Sequence, residues 1–389
     1  MWLQKGTLAI LNPRLAQQVS TTNFADMTLP GHRLTAWLRP GRNPQVTWNA
    51  VRSAWLAQLR DPALVRPLGA RMASRFDEVL GTDIDFVDLA QQASTRALLP
   101  VAIDGLSPRD TSRVMDFIAI RATAQTPAGP PAQHQMAWRT MTTHWPVAAI
   151  VHRELRARAA GRRPRRADLL DPLAGDLLRS LGGYQAVDSM LALLTALCGP
   201  PGAAAAGLLY ELARHPLWAR RLARELAPLD PAQLTGPSRA IPLTGRFIKE
   251  VLRIWTPQAF VERSVRTPIR LPQASLTTRN DYVLSPYLLH RDTRYWKDPD
   301  TFDPDRWLPG AEGAPATGAC YMPFGWSPRA CIGARLALAQ LVALCQLMCT
   351  RYRIEVAQLP ATTIVLHSGP VPVNFRGQVT ALRRHRIES

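Results

Sequence analysis

Phe324-Gly325-Trp326-Ser327-Pro328-Arg329-Ala330-Cys331-Ile332-Gly333 stands just before a long apolar stretch that the spacing predicts to be a helix over 332–351. A cysteine ahead of a helix N-terminus sits where free N–H groups and the helix dipole favour a thiolate. Glycines in the loop let backbone amides approach the sulfur, and Gly333 lets a flat ligand lie against the helix. Arg329, two residues earlier, can reach an acidic group at that ligand's edge. An isolated cysteine is ordinarily an inert core residue. Here Phe324, Gly325, Arg329, Cys331 and Gly333 agree at five spaced positions, and the stretch reads as a ligand loop.

Outward from this loop the chain reads as mostly α with small β-sheets. Thr7–Ile10 is a short strand, followed by a small helix after Asn12-Pro13, and residues 21–46 are loop-like. Apolar residues recur at three and four from Trp48 to about Ala128, where Gly129-Pro130-Pro131 interrupts them. Helices then run through Ile254. Residues 258–290 turn to short strands, 291–330 are Pro-rich loop, and Thr362–Phe375 alternates like a terminal hairpin. No internal repeat is visible, and residues 1–389 read as one domain.

Of the 389 residues 47% are hydrophobic, which excludes a disordered chain. The 47 basic residues against 29 acidic ones give +18, nearly all of it arginine. Such charge invites nucleic acid or a membrane surface. The Arg153–Arg166 run, however, has no interleaved aromatics on which bases could stack, and it reads as an exposed interhelical turn. Five cysteines without a Cys-x-x-Cys pair form no disulfide framework and fit a reducing cytoplasm. Ser189–Tyr210 is long enough to span a bilayer, but Gly199-Pro200-Pro201-Gly202 at its centre predicts a kinked core helix instead.

The loop at Cys331 resembles the haem-ligand loop of the cytochrome P-450 family, Phe-x-x-Gly-x-Arg-x-Cys-x-Gly. The resemblance implies a single-domain P-450 fold and haem b, with Cys331 as its axial thiolate. Ser327 stands where the family has glycine, and a positive φ there would cost ~1 kcal/mol. Glu250-Val251-Leu252-Arg253 is similar to the family's Glu-x-x-Arg helix. The segment containing Arg306 is similar to the meander that completes a buried three-way ion pair with Glu250 and Arg253. Trp48 and Arg52 match the aromatic-x-x-x-Arg pattern, and Arg263 follows Pro257 at the family's spacing. With Arg329 this makes three arginines for two propionates. His290-Arg291-Asp292 fits the segment before the meander and implies a structural role. Relative to the family, the usual leader and first helix are missing.

In the family's distal helix an acid–alcohol pair relays protons for dioxygen activation. The match at Leu208–Pro216 sets the register, so the pattern falls on Ala196-Leu197-Cys198-Gly199-Pro200. Gly199 replaces the acid and Pro200 the alcohol. Two readings follow for an enzyme of secondary metabolism acting on a hydrophobic small molecule. In the first it does not activate dioxygen; it cleaves an N–O or O–O bond in its substrate, with nitrene- or oxene-type transfer, cyclisation or rearrangement. The second is an ordinary monooxygenase with water- or substrate-assisted proton delivery. A haem-binding sensor ranks below both, since no signalling domain is appended. By analogy the pocket draws on Cys198, Gln258, Ala259, Phe260, Val261, and Leu366-His367-Ser368-Gly369. An acidic ferredoxin or flavodoxin suits the basic surface if electrons are needed. The implied protein is a cytoplasmic monomer without nucleic-acid or membrane partners.

Overall fold

Helices dominate, and most begin where a proline or a short polar side chain allows. The computed structural model describes residues 1–3, 6–28, 44–124, 130–197, 199–272 and 274–382. Its helices are α1 (Pro13–Thr22), α2 (Pro44–Gln58), α3 (Leu68–Glu78), α4 (Phe86–Ala102), α5 (Pro108–Ala124), α6 (Pro130–Ala159) and α7 (Asp176–Leu181). They continue as α8 (Gly183–Ala196), α9 (Pro200–Arg214), α10 (Pro216–Leu226), α11 (Pro242–Ile254), α12 (Pro286–Leu289) and α13 (Ala334–Thr350). Asn12 caps α1 by accepting from the Leu15 N–H at 3.0 Å, and Asp85 caps α4 from Val87 and Asp88. Prolines open α9, α10 and α11, where their missing N–H leaves no bond unmade.

The strands are short. β1 (Thr7–Ile10), β2 (Met27–Thr28), β4 (Val261–Val265) and β7 (Asp281–Leu284) form one sheet in the order β1-β7-β4-β2. β1 runs parallel to β7 in the register Thr7 to Asp281, and β4 is antiparallel with Arg263 opposite Tyr282. β3 (Asp83–Asp85), β11 (Arg376–Ala381) and β8 (Tyr352–Val356) form a second sheet. Two hairpins, β5 (Ile269–Leu271) with β6 (Ala274–Leu276) and β9 (Thr363–Leu366) with β10 (Pro370–Val373), complete the set. The terminal hairpin expected at 362–375 is therefore present.

Buried apolar side chains form a large helical core and a smaller cluster between α1 and the four-stranded sheet. At the centre of the larger one, α9 packs along α4 and against α11 and α13. Gly207 makes that approach possible, because a Cβ there would stand 2.4 Å from Trp255 Cγ. The Trp255 indole N–H in turn donates to Glu211 at 2.7 Å. Residues 183–214 pass a length-and-apolarity test for crossing a membrane, but nearly all of α9 from Ala204 to Leu212 is buried in protein.

The arginine run leads from the end of α6 into a mostly exposed turn, as expected, and it also carries ion pairs: Arg153 with Asp110 (2.7 Å), Arg158 with Asp168 (2.7 Å), Arg163 with Glu154 (2.7 Å), Arg165 with Asp171 (2.8 Å) and Arg166 with Asp104 (3.1 Å). Arg158 and Asp168 are buried. Acids from three other segments pair with Arg153, Arg158, Arg165 and Arg166. A further basic stretch, Arg383-Arg384-His385-Arg386, lies outside the described residues.

Candidate active site

Cys331 closes a loop that folds back on itself. Its N–H donates to the Phe324 carbonyl at 2.8 Å, and Gly325 turns the chain with φ +69°. Ser327 is not among the residues with positive φ, so the strain expected of a non-glycine there does not arise. The conformation that only glycine adopts freely is taken two residues earlier, at Gly325. A Cβ at Gly333 would stand 3.8 Å from the Cys331 sulfur, so the helix start is close to it. Cys331 is solvent-exposed, yet protein crowds it enough that burial raises its thiol pKa; the Gly333 N–H and the Arg52 charge act the other way. Exposure describes access to the sulfur and the pKa its surroundings, so the two fit a ligand facing open space from a confined seat.

Beneath this loop lies a fully buried charge network. Glu250 accepts from Arg253 Nε (3.0 Å) and Nη2 (2.8 Å), Arg306 Nε (2.9 Å), the Asp303 N–H (3.0 Å) and Trp307 Nε1 (3.0 Å). Arg253 spends its other donors on the carbonyls of His290, Pro299 and Thr301. Arg306 does the same with Lys297, Gly313, Asp298 and Thr301. The three-way ion pair expected of Glu250, Arg253 and Arg306 is thus formed. Its desolvation cost is offset only because each lone pair and N–H finds a partner.

His290 ties the network to the loop. The Met322 N–H donates to His290 Nε2 at 2.9 Å, so the ring proton is assigned to Nδ1, which faces Thr256 Oγ1 (2.9 Å) and the Arg253 carbonyl (3.2 Å). Burial pushes its pKa down to about 3, with the Arg253 and Arg291 charges adding to the effect. A permanently neutral ring here is a structural bridge, in line with the role expected of it. Trp307 and the contact between His290 and Met322 were not legible in the sequence, since neither follows from a spacing.

The three expected arginines come from distant elements. Arg52 on α2 donates to the Ala330 carbonyl at 2.8 Å, beside Cys331. Trp48, one turn earlier and 37% exposed, stands edge-on to Trp55 with ring centres 6.4 Å apart. Arg263 on β4 and Arg329 in the loop lie close enough to interact: burial lowers both pKa values, and Arg263 lowers that of Arg329 further. Like charges held together in a partly buried place fit an anionic ligand that bridges them. With the exposed Cys331 sulfur near Arg52, these residues fit haem b, whose iron Cys331 would hold and whose two propionates Arg52, Arg263 and Arg329 would hold.

The distal helix is broken as its prolines require. α8 ends at Ala196, Gly199 turns with φ +82°, and α9 restarts on Pro200-Pro201. Gly199 and Pro200 bring neither a carboxylate nor a hydroxyl to the break. The nearest alcohol before it, Thr195, donates to the Leu191 carbonyl at 2.8 Å. Behind it, Gln340 Nε2 on α13 donates to Ser94 Oγ (2.7 Å) and the Pro201 carbonyl (3.3 Å), a neutral cluster.

Of the expected pocket residues, Phe260 is 47% exposed, Val261 begins β4, and Gln258 donates to the Phe260 carbonyl at 3.2 Å. Ala259 is fully buried: its N–H donates to the Ser368 carbonyl and its carbonyl accepts from Ser285, so it anchors the segment. Cys198 lies outside the described residues.

The fold and the cysteine loop together fit a haem-thiolate protein, and known proteins of similar sequence and fold are cytochromes P450. The family profile "Cytochrome P450" matches residues 204–371. Among curated relatives, rabbit (Oryctolagus cuniculus) cytochrome P-450 4A6 is 30% identical over 200 residues, which is 50% of this chain and 39% of the relative. Cyclooctatin synthase of Streptomyces melanosporofaciens is 34% identical over 121 residues, 31% and 26% respectively. The 11-oxo-beta-amyrin 30-oxidase of Glycyrrhiza uralensis is 28% identical over 171 residues, 41% and 32%. The matched stretches thus span about a third of these relatives' lengths. The cytochrome P450DA heme domain superposes with a TM-score of 0.76 at 18% identity, covering 99% of this chain and 90% of that one. A retinoic acid-bound cyanobacterial CYP120A1 gives 0.75 at 16% identity, covering 95% and 88%. Residues 204–371 thus match the cytochrome P450 family profile, and the chain as a whole has the fold of these P450 structures.

Proposed function

We propose that this protein is a haem-thiolate enzyme of secondary metabolism whose reaction cleaves an N–O or O–O bond carried by a hydrophobic substrate, followed by intramolecular transfer, cyclisation or rearrangement. The observation that carries this reading is the helix break at Gly199-Pro200. No proton-donating side chain stands at the positions of the family's acid–alcohol pair, Thr195 is turned onto Leu191, and Gln340 and Ser94 behind the break are neutral. The haem, when bound at Cys331, supplies an electron-rich iron able to cleave weak bonds to oxygen or nitrogen.

The chain's own residues do the rest. The Glu250 network and His290 hold the cysteine loop in place. Arg52, Arg263 and Arg329 orient the propionate edge, and Phe260 and Leu366 offer apolar surface to the substrate. A second reading, a dioxygen-dependent monooxygenase, is favoured by the names of the relatives, two of which are an oxidase and a synthase. In that case an acidic ferredoxin or flavodoxin would supply electrons, steered by the basic surface. In either case we place a single monomeric domain in the cytoplasm.

The test has two parts. Haem-loaded protein should give the red-shifted ferrous-CO Soret band of a thiolate ligand, and Cys331→Ala should lose it. Turnover of an N–O or O–O activated substrate should then proceed without dioxygen or a reductase. Conversion only when both are supplied would replace the first reading by the second.

A further inference from the structure

The buried charge network does not itself reach the cysteine loop. Among the described residues, every hydrogen-bond partner of Glu250, Arg253 and Arg306 lies outside 322–331. The link between them is one side chain, His290. Its carbonyl accepts from Arg253 Nη1 at 2.9 Å, which ties its backbone to the network. Its ring is held at Nδ1 by Thr256 Oγ1 and the Arg253 carbonyl, and on one face by Tyr321, with ring centres 5.5 Å apart. Nε2 is thereby aimed at the Met322 N–H, 2.9 Å away.

The loop starts at Met322. Its side chain is buried in the smaller apolar cluster, and its carbonyl accepts from the Gly325 N–H at 3.2 Å. Two residues on, the Phe324 carbonyl accepts from the Cys331 N–H at 2.8 Å. Apolar packing holds Met322 in place but is non-directional, whereas a hydrogen bond fixes which way its peptide faces. That orientation sets the turn at Gly325 and, through Phe324, the seat of Cys331. We propose that His290 is a positioning residue for the cysteine ligand: by accepting the Met322 N–H, it holds the loop in the arrangement from which Cys331 binds iron as a thiolate. Without that acceptor a buried N–H is left unpaired, and the loop gains by shifting to satisfy it. The proposal deepens the haem-thiolate reading and rests on it.

The experiment compares the haem-loaded parent with three variants. His290→Gln keeps an acceptor at the ε position, His290→Asn keeps polar atoms only at the δ position, and His290→Leu keeps neither. The quantity read is the ratio of the red-shifted to the unshifted ferrous-CO Soret band, which compares haem held by the thiolate with haem that has lost it. His290→Asn and His290→Leu should lower that ratio about tenfold, the weight of one buried donor left unpaired, while His290→Gln should stay within about threefold of the parent. Urea midpoints of the same samples separate positioning from stability: a merely structural ring would lower the band ratio in step with the midpoint in all three. That outcome, or His290→Asn matching His290→Gln in band ratio, overturns the proposal. Amide exchange in the parent tests it without any substitution. The Met322 N–H should be protected like the core helices, and exchange at the rate of an open loop overturns the proposal. A parent without the red-shifted band overturns the haem-thiolate reading and this proposal with it; a normal parent band with the wrong order of variants overturns this proposal alone.

Discussion

His290 shows how one side chain can set the behaviour of a site it does not enter. Its ring is fully buried, neutral and shared between the Met322 N–H and the Thr256–Arg253 corner. With a pKa of about 3 in the folded state and ~6.5 in the unfolded chain, the unfolded state takes up a proton first as pH falls. The stability this ring contributes is therefore complete above pH ~6.5 and is lost progressively down to about 3. The slope approaches ~1.4 kcal/mol per pH unit in that window. Urea midpoints measured from pH 7.5 to 4.5 should fall more steeply for the parent than for His290→Asn, which has no ring to protonate. Parallel curves would refute this account of the acid lability.

At the scale of elements, the interruption between α8 and α9 separates this chain from the pattern it otherwise follows. Pro200 and Pro201 lack the N–H groups that would continue α8, and Gly199 takes a φ of +82° that other residues avoid. Replacing Gly199→Asp together with Pro200→Thr should cost stability, ~1 kcal/mol for the aspartate at positive φ alone. It should also create dioxygen consumption by the haem-loaded, chemically reduced protein where the parent shows little. Equal consumption by the two would mean that protons already reach the site by another route. The break was legible in the sequence, because four consecutive Gly and Pro residues cannot pass as regular helix. The neutral Gln340–Ser94–Pro201 cluster behind it was not, since α4, α9 and α13 meet only in the folded chain.

For the molecule as a whole, much of the arginine run's charge is met by acids, while the net +18 stays as surplus over the whole chain. The arginine run from the end of α6 onward is bound to acids from α5, from the loop after α4 and from residues 168–171. Arg158→Met would leave Asp168 buried without its partner and should destabilise the protein by ~3–5 kcal/mol in urea unfolding. Arg179→Ala, which breaks an exposed pair with Asp176, should change stability by less than ~1 kcal/mol. Similar losses for both variants would contradict the burial argument.

The sequence by itself determined the chemistry that depends on neighbours along the chain. These are the cysteine ahead of a helix start, the Glu250–Arg253 spacing of one helical turn, the helix-breaking prolines and the alternation of the terminal hairpin. Each is a short-range constraint, set by backbone sterics and helix geometry. Only the tertiary structure decided which charges meet. Arg263 reaches Arg329, Arg52 reaches Ala330, Trp307 reaches Glu250, and the arginine run finds its acids. Partners dozens to hundreds of residues apart are brought together by the path of the chain, and no local rule encodes that path.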